Sequence, residues 1–153
     1  MNFKELFSII ENGGYKKILI IGIGNELRGD DRAGLILAEK VFENLSIFIP
    51  TIKKIIAGTN PENYIEKMIK FSPELIIIFD SSDFGAEPGT VQLFRREDIS
   101  NNSISTHAYS IGIIEDYIKR SINSDVFYVL IQKKNTEFGR KISREVLKGI
   151  EEF

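Results

Sequence analysis

The most distinctive pattern in the chain is Lys17–Ile23, where every position after the lysine is apolar or glycine. A continuous apolar run of strand length suits a parallel strand covered on both faces. Leu75-Ile76-Ile77-Ile78-Phe79 and Val126–Ile131 repeat the pattern. Between these runs the spacing turns helical. Phe3, Leu6, Phe7 and Ile10 predict a short helix over Met1–Asn12, stopped by Gly13-Gly14. Leu35, Leu37, Ala38, Val41 and Phe42 form most of an apolar face between Asp31 and about Leu45. Ile47–Ile56 predicts a second strand whose Pro50 suits an edge position. Asn60-Pro61-Glu62 opens a helix reaching about Phe71, with proline in its first turn. Thr90–Arg95 alternates after a Pro88-Gly89 turn and predicts a half-exposed strand. Helices are expected from Thr106 to about Ser121 and from Thr136 to Phe153.

Strands alternating with helices predict a mainly parallel α/β sheet covered on both faces. The first and third strands are expected to be neighbours, with the second outside them, because a right-handed crossover leads to that order. With 153 residues and no linker, repeat or low-complexity tract, residues 1–153 are expected to form a single domain.

Composition narrows the function classes. Lys plus Arg number 20 and Asp plus Glu 22, a formal charge of −2, which gives no nucleic-acid footprint. The absence of cysteine removes disulfides, a thiol nucleophile and Cys-based metal sites. No run approaches the ~20 apolar residues of a membrane span. The N-terminal residues lack a signal-peptide pattern, so a cytoplasmic protein without membrane insertion is expected.

In a sheet of this kind ligands bind beyond the carboxyl ends of the strands. Gly24–Asp31 follows the first strand, Asp80 and Asp83 follow the third, and the only histidine, His107, precedes a helix. Two carboxylates and an imidazole make a three-ligand set that leaves positions open for water or substrate, suited to a divalent ion such as zinc or nickel. Each residue also has a plain structural use. Asp30 and Asp31 can serve a helix N-terminus, Asp80 and Asp83 can be turn residues, and a lone histidine is usually no ligand. Asp31 is expected to face the crevice and Asp30 to serve the helix start, because consecutive helical residues diverge by about 100°. The serines at 81, 82 and 110 lie outside any G-x-S-x-G elbow. Gly22-x-Gly24 begins a dinucleotide fingerprint, but Leu27 stands where the third glycine belongs.

The string Ile21-Gly22-Ile23-Gly24-Asn25-Glu26-Leu27-Arg28-Gly29-Asp30-Asp31-Arg32-Ala33-Gly34 resembles the opening motif of the hydrogenase maturation endopeptidases. Ala57–Asn63, Ile77–Gly85 with Pro88-Gly89, and Ser105-Thr106-His107 agree in order. Pro61-Glu62-Asn63 and Thr106-His107 look most like the branch serving hydrogenase 3. The resemblance implies a three-layer α/β/α fold with a mainly parallel, mixed five-stranded sheet. It implies a metal-binding and catalytic trio of Asp31, Asp80 and His107, in an endopeptidase of aspartyl-type or metal-dependent character. It also implies removal of the C-terminal extension of a nickel–iron hydrogenase large-subunit precursor after nickel insertion, the nickel being the substrate's own. Zinc or cadmium could occupy such a site in vitro. Thr59, Asn60 and Asp83 are expected to contact the substrate chain. Ile56 stands where many relatives carry Asp, and residues 1–14 form an extra N-terminal helix.

Two other readings share features of the opening. A peptidyl-tRNA hydrolase also has Gly-x-Gly-Asn after a strand, but expects proline and glycine next and a nearby histidine; here Glu26-Leu27 follow and the histidine is distant. A non-enzymatic metal-sensing maturation module could use the same trio.

Overall fold

The structure, a computed structural model, describes residues 1–101 and 108–153. Among the described residues six α-helices, α1 Phe3–Gly13, α2 Ala33–Leu45, α3 Ile65–Phe71, α4 Arg96–Asn101, α5 Ala108–Ser121 and α6 Arg144–Glu152, surround five strands. The strands are β1 Lys17–Ile23, β2 Thr51–Gly58, β3 Leu75–Ser82, β4 Val91–Phe94 and β5 Asp125–Gln132. Their order is β2-β1-β3-β5-β4. The first three pairings are parallel and β4 runs antiparallel to β5, so the sheet is mixed and mainly parallel. β1 and β3 are neighbours and β2 is an edge, as the apolar runs and Pro50 predict.

The continuous apolar runs are explained by the two cores. Ile18, Ile20 and Ile77 point to one face, where Leu6 and Ile10 of α1, Leu37 and Val41 of α2, and Val146 and Ile150 of α6 cover them. Leu19, Ile21, Ile76 and Ile78 point to the other, under Met68 of α3 and Ile111 and Ile118 of α5. Successive strand residues face opposite ways, so a strand between two helical layers must be apolar at every position. On the second face Tyr128 of β5 donates its hydroxyl to buried Glu115 of α5. Burial, then that hydrogen bond, pushes the phenol far above its ordinary range.

The helix of residues 1–14 is built into the fold. Asn2 and Glu5 close a capping box, and Gly14 ends the helix in the left-handed region at φ 69°. The Phe3 N–H donates to the Phe153 carbonyl at 2.9 Å and the terminal ammonium donates to the Val91 carbonyl at 2.9 Å.

Several boundaries differ from expectation. The second strand starts at Thr51 and not at Ile47, since Pro50 offers no N–H to the ladder. Pro61–Tyr64 is a 3-10 turn, so α3 itself begins only at Ile65. A 3-10 turn, Gly29–Arg32, likewise precedes α2. The helix α4 went unforeseen; the Asp98 carboxylate accepts from the Arg95 N–H at 2.8 Å at its start. The expected closing helix from Thr136 is confined to Arg144–Glu152. Residues 133–143 form a loop whose backbone N–H groups are drawn away from helical partners. The expected start of the preceding helix, at Thr106, lies outside the described residues.

Candidate functional site

The carboxyl ends of β1, β2 and β3 meet at one edge of the sheet. The β1–β2 register shifts between Gly22 and Ile23, so that Ile23 pairs with Gly58. The Gly24 N–H then donates to the Gly58 carbonyl at 3.0 Å, joining the two loops. Gly24 has φ 143°, and a Cβ there would lie 1.8 Å from the Asp31 carbonyl oxygen. Only glycine fits, and the loop closes when the Asn25 N–H donates to that same carbonyl at 3.2 Å. The Asn25 side chain accepts from the Leu27 N–H at 2.9 Å, an Asx turn. Gly34 does the matching work on α2. A Cβ on it would meet the Ile23 carbonyl oxygen at 2.4 Å and the Asp80 Cα at 2.6 Å. The spacing from Gly24 to Gly34 therefore lets the start of α2 lie directly against the ends of β1 and β3.

That approach brings together two of the expected site residues. Asp31 is 7% exposed and Asp80 1%. Ser81 links them: its hydroxyl donates to Asp31 Oδ1 at 3.2 Å, and its backbone N–H donates to Asp80 Oδ1 at 2.8 Å. His107, the third member, lies outside the described residues.

Asp30 differs from expectation. Neither the 3-10 turn nor α2 has a side-chain cap. The Asp30 carboxylate, fully buried, instead accepts from the N–H groups of Lys134 and Asn135, each at 2.8 Å, and of Ser143 at 2.6 Å. The Ser143 hydroxyl donates to it at 3.0 Å. The same loop returns further bonds: Asp30 N–H to the Asn135 carbonyl, Gly29 N–H to the Arg140 carbonyl, and Gly139 N–H to the Leu27 carbonyl. Asp30 thus fastens the loop after β5 to the loop after β1, and this contact replaces the first turns of the expected closing helix.

The expected substrate-contacting residues sit on the rim. Thr59 and Asn60 are exposed beside the Gly58–Gly24 junction. The Thr59 hydroxyl donates to Asn60 Oδ1 at 3.0 Å, and Asn60 Nδ2 donates to Glu62 at 3.1 Å. The Asn60 bond draws the exposed Glu62 carboxyl below its ordinary range. Asp83 is exposed and accepts from Gln132 Nε2 at 3.2 Å. Gln132, unforeseen, also accepts from the N–H groups of Phe84 and Ala86 at 2.9 and 3.2 Å, fixing the loop after β3. It is the polar end of the otherwise apolar run Val126–Ile131. Ser81 belongs to no nucleophile elbow, and its role as the link between the two carboxylates carries no local sequence signal.

Comparison with known proteins decides what this edge belongs to. A family model described as hydrogenase maturation protease matches residues 41–153, nearly three quarters of the chain. The chain belongs to the hydrogenase maturation protease family. It is a peptidase of that family, hence a hydrolase. The opening loop with Asp31 lies upstream of the matched residues, while Asp80 and His107 lie within them. A protein of Methanocaldococcus jannaschii, provisionally named a hydrogenase maturation protease, is 35% identical over 136 residues, 86% of this chain and 80% of its own length. The hydrogenase 3 maturation protease of Escherichia coli is 29% identical over 112 residues, 71% of this chain and 69% of its own. The crystal structure of a [NiFe] hydrogenase maturation protease, HycI, from Thermococcus kodakarensis superposes with TM-score 0.80 and 30% identity. The match covers 94% of this chain and 92% of that one. The three-layer fold with its mixed sheet is the fold of these proteases. No helix among the described residues is long and apolar enough to cross a membrane.

The donor set fits a divalent ion in part. Among the described residues no group of three His, Cys, Asp or Glu side chains could hold a metal. Asp31 and Asp80, gathered on Ser81, supply two oxygen-ligand side chains on rigid elements, and a third ligand must come from elsewhere.

Proposed function

We propose that the protein removes the C-terminal extension of a nickel–iron hydrogenase large-subunit precursor after nickel insertion, in the cytoplasm. Asp31, Asp80 and His107 address the nickel carried by that precursor, and Thr59, Asn60 and Asp83 contact its chain. The carrying observation is the convergence of Asp31 and Asp80 on Ser81, at the carboxyl edge of a sheet with this family's fold.

Nickel is here part of the substrate. Two carboxylates and one imidazole lack the closed N/S coordination that makes structural zinc part of folding. The isolated protein therefore binds nickel, zinc or cadmium weakly, and its two apolar cores stand without metal. Nickel held by Asp31, Asp80 and His107 would supply Lewis acidity toward a scissile carbonyl. The protein's contribution is placement: the loaded precursor brings the bond to be cut into register with the trio, which makes the cut specific. His107 must be neutral to ligate, so cleavage falls on acidification.

The test incubates the protein with nickel-loaded and metal-free precursor and follows the large-subunit mass. Shortening of the loaded form alone is expected, while EDTA leaves the melting temperature of the isolated protein unchanged. Equal cleavage of metal-free precursor, or tight stoichiometric metal in calorimetry of the isolated protein, would indicate an ordinary metalloprotease. No cleavage of either form would overturn the proposed substrate.

A further inference from the structure

One cavity lies away from the carboxyl edge of the sheet. It is a groove of about 650 Å³ along β2, between that strand and α3, extending beneath α3 to β1. Five of its ten lining residues are lysines, Lys17, Lys53, Lys54, Lys67 and Lys70, and none is acidic. Lys17 and Lys53 both hold their ammonium groups over the Phe71 ring, at 5.0 and 4.8 Å, and Lys67 lies 5.5 Å from the Tyr64 ring. Two of the five have carboxylates at hand. Lys54 pairs with Glu39, and Glu74 accepts from the backbone N–H groups of Lys16 and Lys17. Among the described residues no carboxylate lies within ion-pair distance of Lys53, Lys67 or Lys70.

Lysines on an edge strand also deter edge-to-edge pairing, but that guard requires no lysines on α3. Here three elements gather like charges around two aromatic rings; the rings attract each ammonium, while the repulsion among the ammonium groups is what a bound anion relieves. The floor of the groove has a shape of its own. Lys53, Lys54, Ile55 and Ile56 all border it, and consecutive strand residues face opposite ways, so the groove reaches the open edge of β2. One side of that backbone pairs with β1, and the other is available to an added strand.

We propose that this groove docks an extended acidic segment of the partner protein, which pairs with the edge of β2 while its carboxylates meet Lys53, Lys67 and Lys70. Assigning the segment to the large-subunit precursor rests on the proposed function. The groove ends at Ile56 and Tyr64, beside the Gly58–Thr59 corner, so a docked segment leads toward Asp31 and Asp80.

The probe is a synthetic octapeptide of alternating Glu and Val. Fluorescence anisotropy is expected to show micromolar binding that weakens with salt. Amide resonances of β2 should shift with it. Lys53→Glu with Lys67→Glu should weaken binding at least tenfold while the melting temperature holds, and Lys53→Gln with Lys67→Gln should weaken it less. A Lys–Val peptide should not bind. No binding of the acidic peptide, equal binding by the charge-reversed protein, or tighter binding of a single-stranded oligonucleotide would overturn the proposal. These readouts need no cleavage, so they stand if the proposed function fails. Where precursor is cut, the peptide should raise KM and leave kcat; binding without competition would overturn the assignment to the precursor.

Discussion

Asp30 and Asp31 are adjacent in sequence and both are buried, yet their surroundings differ sharply. Asp30 receives three backbone N–H groups and a hydroxyl, all from residues 134–143. Asp31 receives one hydroxyl, from Ser81. Both carboxylates are withdrawn from water, but only Asp30 has that cost offset by fixed donors. Asp30 is occupied with holding two loops together. Asp31 keeps acceptor capacity on rigid backbone, beside a second buried carboxylate. The contrast separates a carboxylate that builds the site from one that can act in it.

Substituting Asp31 tests the contrast most strongly. Asp31→Asn keeps the size and the Ser81 contact but removes the charge. Cleavage of nickel-loaded precursor should fall by ~100-fold or more, comparable to losing a group aimed at developing charge. The melting temperature should stay within a few degrees. Retained activity would break the comparison on the Asp31 side.

Asp30→Asn should do the reverse. An amide offers one acceptor oxygen and turns its NH2 toward donors, leaving buried N–H groups unsatisfied. The expected loss is about 2–3 kcal/mol of stability, or roughly 5–10 °C in melting temperature for a chain of this size. Activity measured well below the transition should fall far less than in Asp31→Asn. Asn serves about as well as Asp in a helix cap, but not in place of a carboxylate holding four donors. Equal activity loss in both variants would break the comparison.

What the sequence made legible follows the same division between local and distant causes. The apolar runs of β1, β3 and β5 were readable because a strand buried on both faces leaves no polar position. Pro50 announced the edge because it lacks an N–H. Asp31 was readable as a loop residue after a buried strand; Asp80 was expected just past β3 but lies within it, paired with Leu130, because the ladder to β5 runs on to Ser82. The role of Asp30 was not, since its donors lie more than 100 residues away. The loop they belong to resembled a helix because Phe138, Ile142, Val146 and Ile150 recur every four residues. Of these, Val146 and Ile150 are buried helical positions, whereas Phe138 is exposed and Gly139 adopts φ 77°. The basic groove was hidden for a related reason: its lysines come from three elements, and no stretch of the chain is unusually basic.

Ser81 gives the smallest and most discriminating test, because it serves both carboxylates with different atoms. Ser81→Ala removes the hydroxyl donated to Asp31 and leaves the backbone N–H donated to Asp80. A hydrogen bond to a charged group contributes about 1.5–3 kcal/mol net, and at 3.2 Å this one sits at the weak end, so cleavage should fall roughly tenfold. Fold stability should hardly change, since β3 keeps its ladder on both sides. Ser81→Thr should recover part of the lost activity if its extra methyl is accepted among the ends of β1 and β3. A fall as large as that of Asp31→Asn would mean that the hydroxyl itself takes part in the chemistry. No fall at all would mean that Asp31 is held by its backbone alone, through the Gly24 closure, and that the distinction from Asp30 rests on the carboxylate's surroundings without any help from Ser81.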